Sequence, residues 1–184
     1  QVPLPDGSAV VILDTSTRRG LIGSAYNDRR ASCEQAAAFF EVPALRDVDM
    51  DTFNAKADQL DDETRRRARH IITENARVLA AKEAMSAGEA TRMGQLMNES
   101  HISMRDDFEI SADALNAIVE CAQAHDACYG ARMTGGGFAG CAVALVDAAQ
   151  ANDFAATVSA CYTDRTNLTP NLYITAADRD RKST

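Results

Sequence analysis

Tryptophan is absent from this sequence, and phenylalanine and tyrosine bring the aromatic content to only 5%. A chain so poor in rings has little with which to stack unpaired bases. Basic excess is lacking too: 27 acidic residues stand against 19 basic ones, for a net charge of −8, so long-range attraction to a phosphate backbone or an anionic lipid surface is missing. Neither nucleic acid nor membrane is expected as a partner. No apolar run approaches the ~18 residues that cross a bilayer, and the first residues show neither a charged start nor a hydrophobic signal segment. The cysteines Cys33, Cys121, Cys128, Cys141 and Cys161 are odd in number and contain no C-x-x-C pair. They read as reduced, buried thiols in a cytoplasmic protein, and no histidine has metal-ligand spacing to them. Walker-A, H-E-x-x-H and G-x-S-x-G patterns are missing as well. The sequence begins without methionine, at a proline- and turn-rich lead, Gln1 to Gly7, that looks like an interdomain joint, and it is expected to be a piece of a longer protein.

What is present suffices for a core. With 184 residues, 46% hydrophobic and 25% charged, the chain has the proportions of one globular domain, 1–184, built on aliphatic packing. Val10-Val11-Ile12-Leu13 reads as a strand buried on both faces and ended by Arg18-Arg19 and Gly20. A helix is expected from about Tyr26 to Phe40, closing before Pro43. Asp61 or Asp62 caps a longer helix in which Ala68, Ile71, Ile72, Asn75, Val78, Leu79, Lys82 and Met85 recur at helical steps, with Gly88 placed to stop it. Arg65, Arg66, Arg67 and Arg69 near its start read as a solvated face. Glu89 to Glu99 predicts another helix, and Ser111 can cap the next, which turns Leu115, Ile118, Val119 and Ala122 inward. Strand patterns follow at Tyr129–Met133 and Cys141–Val146, then a helix over Ala148–Cys161 and a strand over Leu172–Ala176. This order predicts an α+β fold: an antiparallel four-stranded, ferredoxin-like sheet covered by helices, with a helical insertion.

Three places carry candidate chemistry. Gly135-Gly136-Gly137-Phe138-Ala139-Gly140 satisfies G-x-G-x-x-G, but a β-type run follows where a dinucleotide fingerprint needs a helix N-terminus. The segment is a glycine-rich link between strands. It is either a wide hairpin or a backbone kept bare so that phosphate oxygens or another backbone can come close. His101 lies in the polar cluster Ser100 to Glu109, where Arg105 beside Asp106 and Asp107 suggests an ion pair fixing a helix junction. Tyr26 offers a phenol at a domain edge, or packs half-buried.

Together these segments resemble a family. Arg132-Met133-Thr134-Gly135-Gly136-Gly137-Phe138-Ala139-Gly140-Cys141 looks like the third motif of the GHMP kinases. Ser100-His101-Ile102-Ser103-Met104-Arg105-Asp106-Asp107-Phe108-Glu109 matches the S-H-x-S-M-R-D-D-F-E signature of the galactokinases. Gly23-Ser24-Ala25-Tyr26-Asn27-Asp28-Arg29-Arg30 with Cys33 is similar to their G-S-E-Y-N-x-R-R-x-x-C segment. The resemblance runs from Val10 to Tyr173 and covers the C-terminal half of that bacterial family. It implies a GHMP kinase C-terminal domain in an enzyme that passes the ATP γ-phosphoryl group to the anomeric hydroxyl of galactose, with Mg²⁺ present. The sugar-gripping motif, the phosphate loop and the catalytic aspartate belong to the missing N-terminal domain, so no catalytic or metal-ligating residue is expected here. By the same resemblance Tyr26 contacts galactose, and Gly135, Gly136, Gly137 and Gly140 support the triphosphate loop across the cleft. One position departs: Ala139 stands where the family usually has glycine, at a cost of about 1 kcal/mol if that position needs positive φ. The alternatives are a sugar sensor of galactokinase type that does not turn over, and a GHMP kinase acting on another sugar.

Overall fold

Four strands in the order β2-β3-β1-β4, all antiparallel, form the sheet. The computed structural model describes residues 2–18 and 23–175. Strand β1 (Ser8–Asp14) is central. It pairs with β3 (Cys141–Asp147) from Ser8↔Asp147 to Asp14↔Cys141, and with β4 (Asn171–Thr175) from Val10↔Thr175 to Asp14↔Asn171. β2 (Cys128–Met133) closes the other edge against β3, with a register shift between Cys128 and Gly130. The period-2 alternation puts Ala9, Val11 and Leu13 on the face packed by helices α5 (Asp113–Gln123) and α6 (Ala151–Thr166). Their core includes Ile118, Val119, Val146, Phe154, Val158 and Tyr162. Val10 and Ile12 on the opposite face are half-buried, so β1 is covered fully on one face only. The expected end of this strand at Arg19 and Gly20, and Ala176 at the end of the last strand, lie outside the described residues.

Between β1 and β2 comes a helical insertion: α1 (Gly23–Phe39), α2 (Met50–Lys56), α3 (Asp62–Ser86) and α4 (Ala90–Asp106). Asp61 caps α3 by accepting the Thr64 amide at 2.9 Å. The helix closes with Gly88 N–H on the Met85 carbonyl and Glu89 N–H on the Ala84 carbonyl, the paired bonds that turn a chain sharply out of a helix. α4 therefore folds straight back along α3. A second core, with Phe40, Leu45, Phe53, Ala68 and Ile72, lies under α1, α2 and α3.

Several sequence expectations need correction. Val78 and Leu79 are 60% and 64% exposed, because α1 and α4 cover the face of α3 that carries Arg67, Ala68, His70, Ile72 and Ala84. Helical spacing finds an apolar stripe but not the neighbour that covers it. The connection after Pro43 holds the short helix α2, capped by Asp49 on the Thr52 amide. α4 does not stop at Glu99 but runs through Ser100 and His101. Ser111 does not cap α5: Ala112 occupies that position, and the Ser111 hydroxyl donates instead to Asn116 Oδ1 at 2.7 Å. α6 begins at Ala151, after a 3₁₀ turn, and reaches Thr166.

The cysteines divide. Cys121 on α5 and Cys161 on α6 form a disulfide across a Cα–Cα distance of 5.9 Å, against the expectation of five reduced thiols. Packing of the two helices brings together residues 40 positions apart, which spacing alone does not reveal. Cys33, Cys128 and Cys141 are free. Burial raises the thiol pKa of each, that of Cys128 to about 12, so they are protonated and poor nucleophiles. Among the described residues no helix is long and apolar enough to cross a membrane.

Candidate functional site

The glycine segment links β2 to β3 and is tied down at three points. At its base Thr134 N–H donates to the Cys141 carbonyl at 3.0 Å. At its far end the Gly140 carbonyl accepts the Thr15 amide at 3.0 Å and the Thr15 hydroxyl at 2.6 Å. The Thr15 carbonyl in turn accepts the hydroxyl of buried Tyr162 at 2.9 Å, a contact from α6 that sequence reasoning did not single out. Burial raises the pKa of that phenol, which keeps it a donor. In the middle Phe138 N–H donates to the Ile110 carbonyl at 2.6 Å.

Positive φ falls on Gly135, Gly137, Phe138 and Gly140, not on Ala139, so the alanine departure carries no left-handed strain. The glycines are not equivalent. A Cβ on Gly137 would lie 2.2 Å from the Ile110 carbonyl oxygen, so its bare backbone serves an approach within this chain. Gly135 and Gly136 are exposed, and a Cβ on Gly135 would meet nothing within 4 Å. Both are exposed backbone without a side chain, the kind of surface that a phosphate group or a facing loop can approach.

The segment from Ser100 to Glu109 builds the support behind this loop. Ser100, His101, Ser103 and Met104 are buried on α4 against α3 and β2. Ser100 donates to Glu74 Oε1 at 2.5 Å, and Glu74 also receives Arg77 at 2.7 Å and Arg132 at 3.1 Å. Burial opposes ionisation of Glu74, but the Ser100 and Arg77 hydrogen bonds and the two guanidinium charges outweigh it and lower its pKa. His101 Nδ1 accepts the Met133 amide at 3.3 Å, so the neutral ring carries its proton on Nε2, a buried atom with no partner among the described residues. His70 stacks on Phe108 and donates from Nδ1 to Ser103, whose hydroxyl donates on to Asp107. Burial brings both imidazoles down to about 4, leaving them neutral at pH 7. Arg105 does pair with Asp106, at 2.7 Å, but at the exposed end of α4.

The arginines of α3 are not simply a solvated face. Arg67 is 5% exposed and bonds Ser32 on α1 at 2.8 Å; it also pairs with Glu63 and Glu109. Arg66 pairs with Glu109 and Arg69 with Asp107, so the run staples α3 to the 107–109 turn. Tyr26, in the first turns of α1, is 64% exposed rather than half-buried. Its helix is joined to the 108–109 turn and the glycine segment by Arg29, whose guanidinium lies 5.3 Å from the Phe138 ring centroid.

Among the described residues no group of three or more His, Cys, Asp or Glu side chains is arranged to hold a metal ion, and Glu74, Asp106, Asp107 and Glu109 are engaged in ion pairs. The bare backbone at Gly135 and Gly136 fits one wall of a phosphate site. These side chains do not fit a magnesium ion.

Residues 81–164 match the family model described as GHMP kinases C terminal. Over 92% of this chain and 45% of its own, the galactokinase of Lactococcus lactis, solved with galactose, is 34% identical with a TM-score of 0.88. The phosphomevalonate kinase of Streptococcus pneumoniae is 13% identical over 95% of this chain and 42% of its own, at a TM-score of 0.60. Mevalonate kinase of L. major is 18% identical over 93% and 44%, at 0.56, and shares with this chain the fold alone. The chain thus spans less than half the length of these proteins.

Proposed function

We propose that the chain is a GHMP kinase C-terminal domain of the galactokinase kind and forms the C-terminal half of an ATP-dependent galactokinase, converting galactose and ATP to galactose 1-phosphate and ADP. The observation that carries this is the 34% identity to a galactokinase along 92% of the chain, which reaches beyond shared fold. In this reading an N-terminal domain of the same protein faces the glycine segment. Phosphoryl transfer is mainly positioning and charge stabilisation, with ATP supplying the group transferred and Mg²⁺ neutralising its charge. This chain contributes two surfaces: the exposed phenol of Tyr26 toward the sugar, and the backbone of Gly135 and Gly136, held by Gly137 and Gly140, toward the triphosphate side. The magnesium ligands and the base fall to the other domain.

The isolated chain is accordingly expected to unfold cooperatively but to show no turnover with galactose, ATP and Mg²⁺ in a coupled assay. Turnover above background, with host kinase excluded, would defeat the assignment of the chemistry to the other half. The same assay on the intact protein tests the reading itself, and loss of galactose phosphorylation there would leave a non-catalytic sugar binder.

Tyr26→Phe in the intact enzyme is expected to raise the galactose KM about fivefold, the equivalent of one lost hydrogen bond of about 1 kcal/mol, with the ATP KM little changed. Because the side chain is 64% exposed here, the melting temperature of the isolated chain should not move. An unchanged galactose KM would remove Tyr26 from the sugar wall.

A further inference from the structure

Arg29 makes three kinds of contact with one planar group. Its Nε donates to the Phe108 carbonyl at 3.2 Å and its Nη2 to the Glu109 carbonyl at 2.8 Å, while Nη1 lies 3.4 Å from the Ala25 carbonyl in its own helix. The guanidinium also lies 5.3 Å from the centroid of the Phe138 ring. The next residue after those two carbonyls, Ile110, accepts the Phe138 amide at 2.6 Å. Phe138 is thus held from both sides, by its N–H and by its ring, at a φ of 66° that a bulky L-residue rarely adopts. Only a planar cation with donors along its edge can satisfy two carbonyls while stacking on a ring; an ammonium makes one set of contacts or the other.

The geometry points to Arg29 as a positioning residue that couples the sugar wall to the nucleotide wall of this half-site. The inference rests on the functional reading above and extends it. Tyr26 stands one helical turn before Arg29, and Phe138 sits inside the glycine segment, beside Gly137. Movement of α1 on sugar binding is passed to the segment through this guanidinium, and ordering of the segment by nucleotide is passed back. Thermodynamic linkage requires the effect to be reciprocal.

The test is made on the intact protein. Galactose affinity is measured with and without a non-hydrolysable ATP analogue, and analogue affinity with and without galactose. Native protein should show mutual tightening of about fivefold or more, and Arg29→Lys should bring that factor close to one although charge is kept. Tyr26→Phe should weaken galactose but preserve the factor, because it removes a sugar contact and leaves the Arg29 contacts in place. Amide exchange at Phe138 should quicken about tenfold in Arg29→Lys. If Arg29→Lys does not fold, Phe138→Leu, which keeps the backbone bond and deletes the ring, should lose the same coupling. Native protein that binds neither ligand overturns the galactokinase reading, and the exchange rate then decides on the clamp by itself. Unchanged exchange at Phe138, or coupling that survives Arg29→Lys, overturns the inference.

Discussion

Gly94→Ala is expected to cost at least about 4 kcal/mol, enough to leave much of the chain unfolded under ordinary conditions. A Cβ at Gly94 would stand 1.9 Å from the Tyr129 carbonyl oxygen and 2.8 Å from the Gly130 nitrogen; a Cβ at Gly130 would stand 2.0 Å from the Gly94 carbonyl oxygen. Here the backbone of α4 rests on the backbone of β2, with no flexible side chain in between to yield. A methyl group at either position must push helix and strand apart, and Leu96, Met97, Ser100, His101 and Met104 on the same helix would lose their fit. Gly7→Ala provides the comparison: it has positive φ but nothing within 4 Å, so backbone strain of about 1 kcal/mol is all it should cost. Urea unfolding of the three proteins checks this, and a loss below about 1 kcal/mol for Gly94→Ala would show that the helix can slide away without penalty.

The second large effect is acid sensitivity. His70 and His101 are brought by burial to about 4 in the folded chain, from an ordinary value near 6.5 that unfolding restores. The unfolded state therefore binds more protons between those limits, and the stability due to the neutral imidazoles is complete above pH 6.5 and lost as pH falls toward 4. Around His70, Glu74 and Asp107 favour the proton while Arg77 and Arg132 oppose it. Around His101, Arg105 and Arg132 oppose it while Glu120 and Asp106 favour it. In neither case does the acidic pair overcome desolvation. At pH 5 the expected loss is about 2 kcal/mol per histidine relative to pH 7. Urea unfolding at the two pH values measures it, and His70→Gln, which can still donate to Ser103, should remove about half of the difference. Equal stability at pH 5 and pH 7 would contradict the burial of both rings.

The sheet was legible because each strand carries its own alternation or apolar run, as in Val10 to Leu13 and Cys141 to Val146, and because the number of strands leaves few simple antiparallel orders. Helix ends were legible where the capping chemistry was unambiguous, as at Asp61 and Gly88, and not where Ser111 had a competing partner in Asn116. The motif segments lie near one another in the fold, but their local patterns do not show how the contacts are divided among them. Ser100 and His101 brace the strand that enters the loop, His101 through the Met133 amide and Ser100 through Arg132 and Glu74, the last of which no local pattern marks. Gly94 did leave a trace, since glycine within a helix is disfavoured by about 1 kcal/mol and here compensates through contact with a residue 36 positions on, Gly130. The Cys121–Cys161 bond and the exposure of Val78 and Leu79 depend on which helices meet, and that is settled only by the whole packing.

Because β1 is an inner strand of the sheet, paired on both edges, the order of synthesis matters. Thr15, at its end, meets Gly140 across 125 positions and Tyr162 across 147. At a ribosomal pace of 5–20 residues per second, roughly 6 to 25 seconds pass before the first of these partners leaves the ribosome. The insertion from α1 to α4 is complete in the nascent chain by then, with its own core of Phe40, Leu45, Phe53 and Ile72. Throughout that interval β1 has both hydrogen-bonding edges unpaired and Val11 and Leu13 uncovered, which makes Ser8–Asp14 the stretch that a nascent-chain chaperone has most reason to hold.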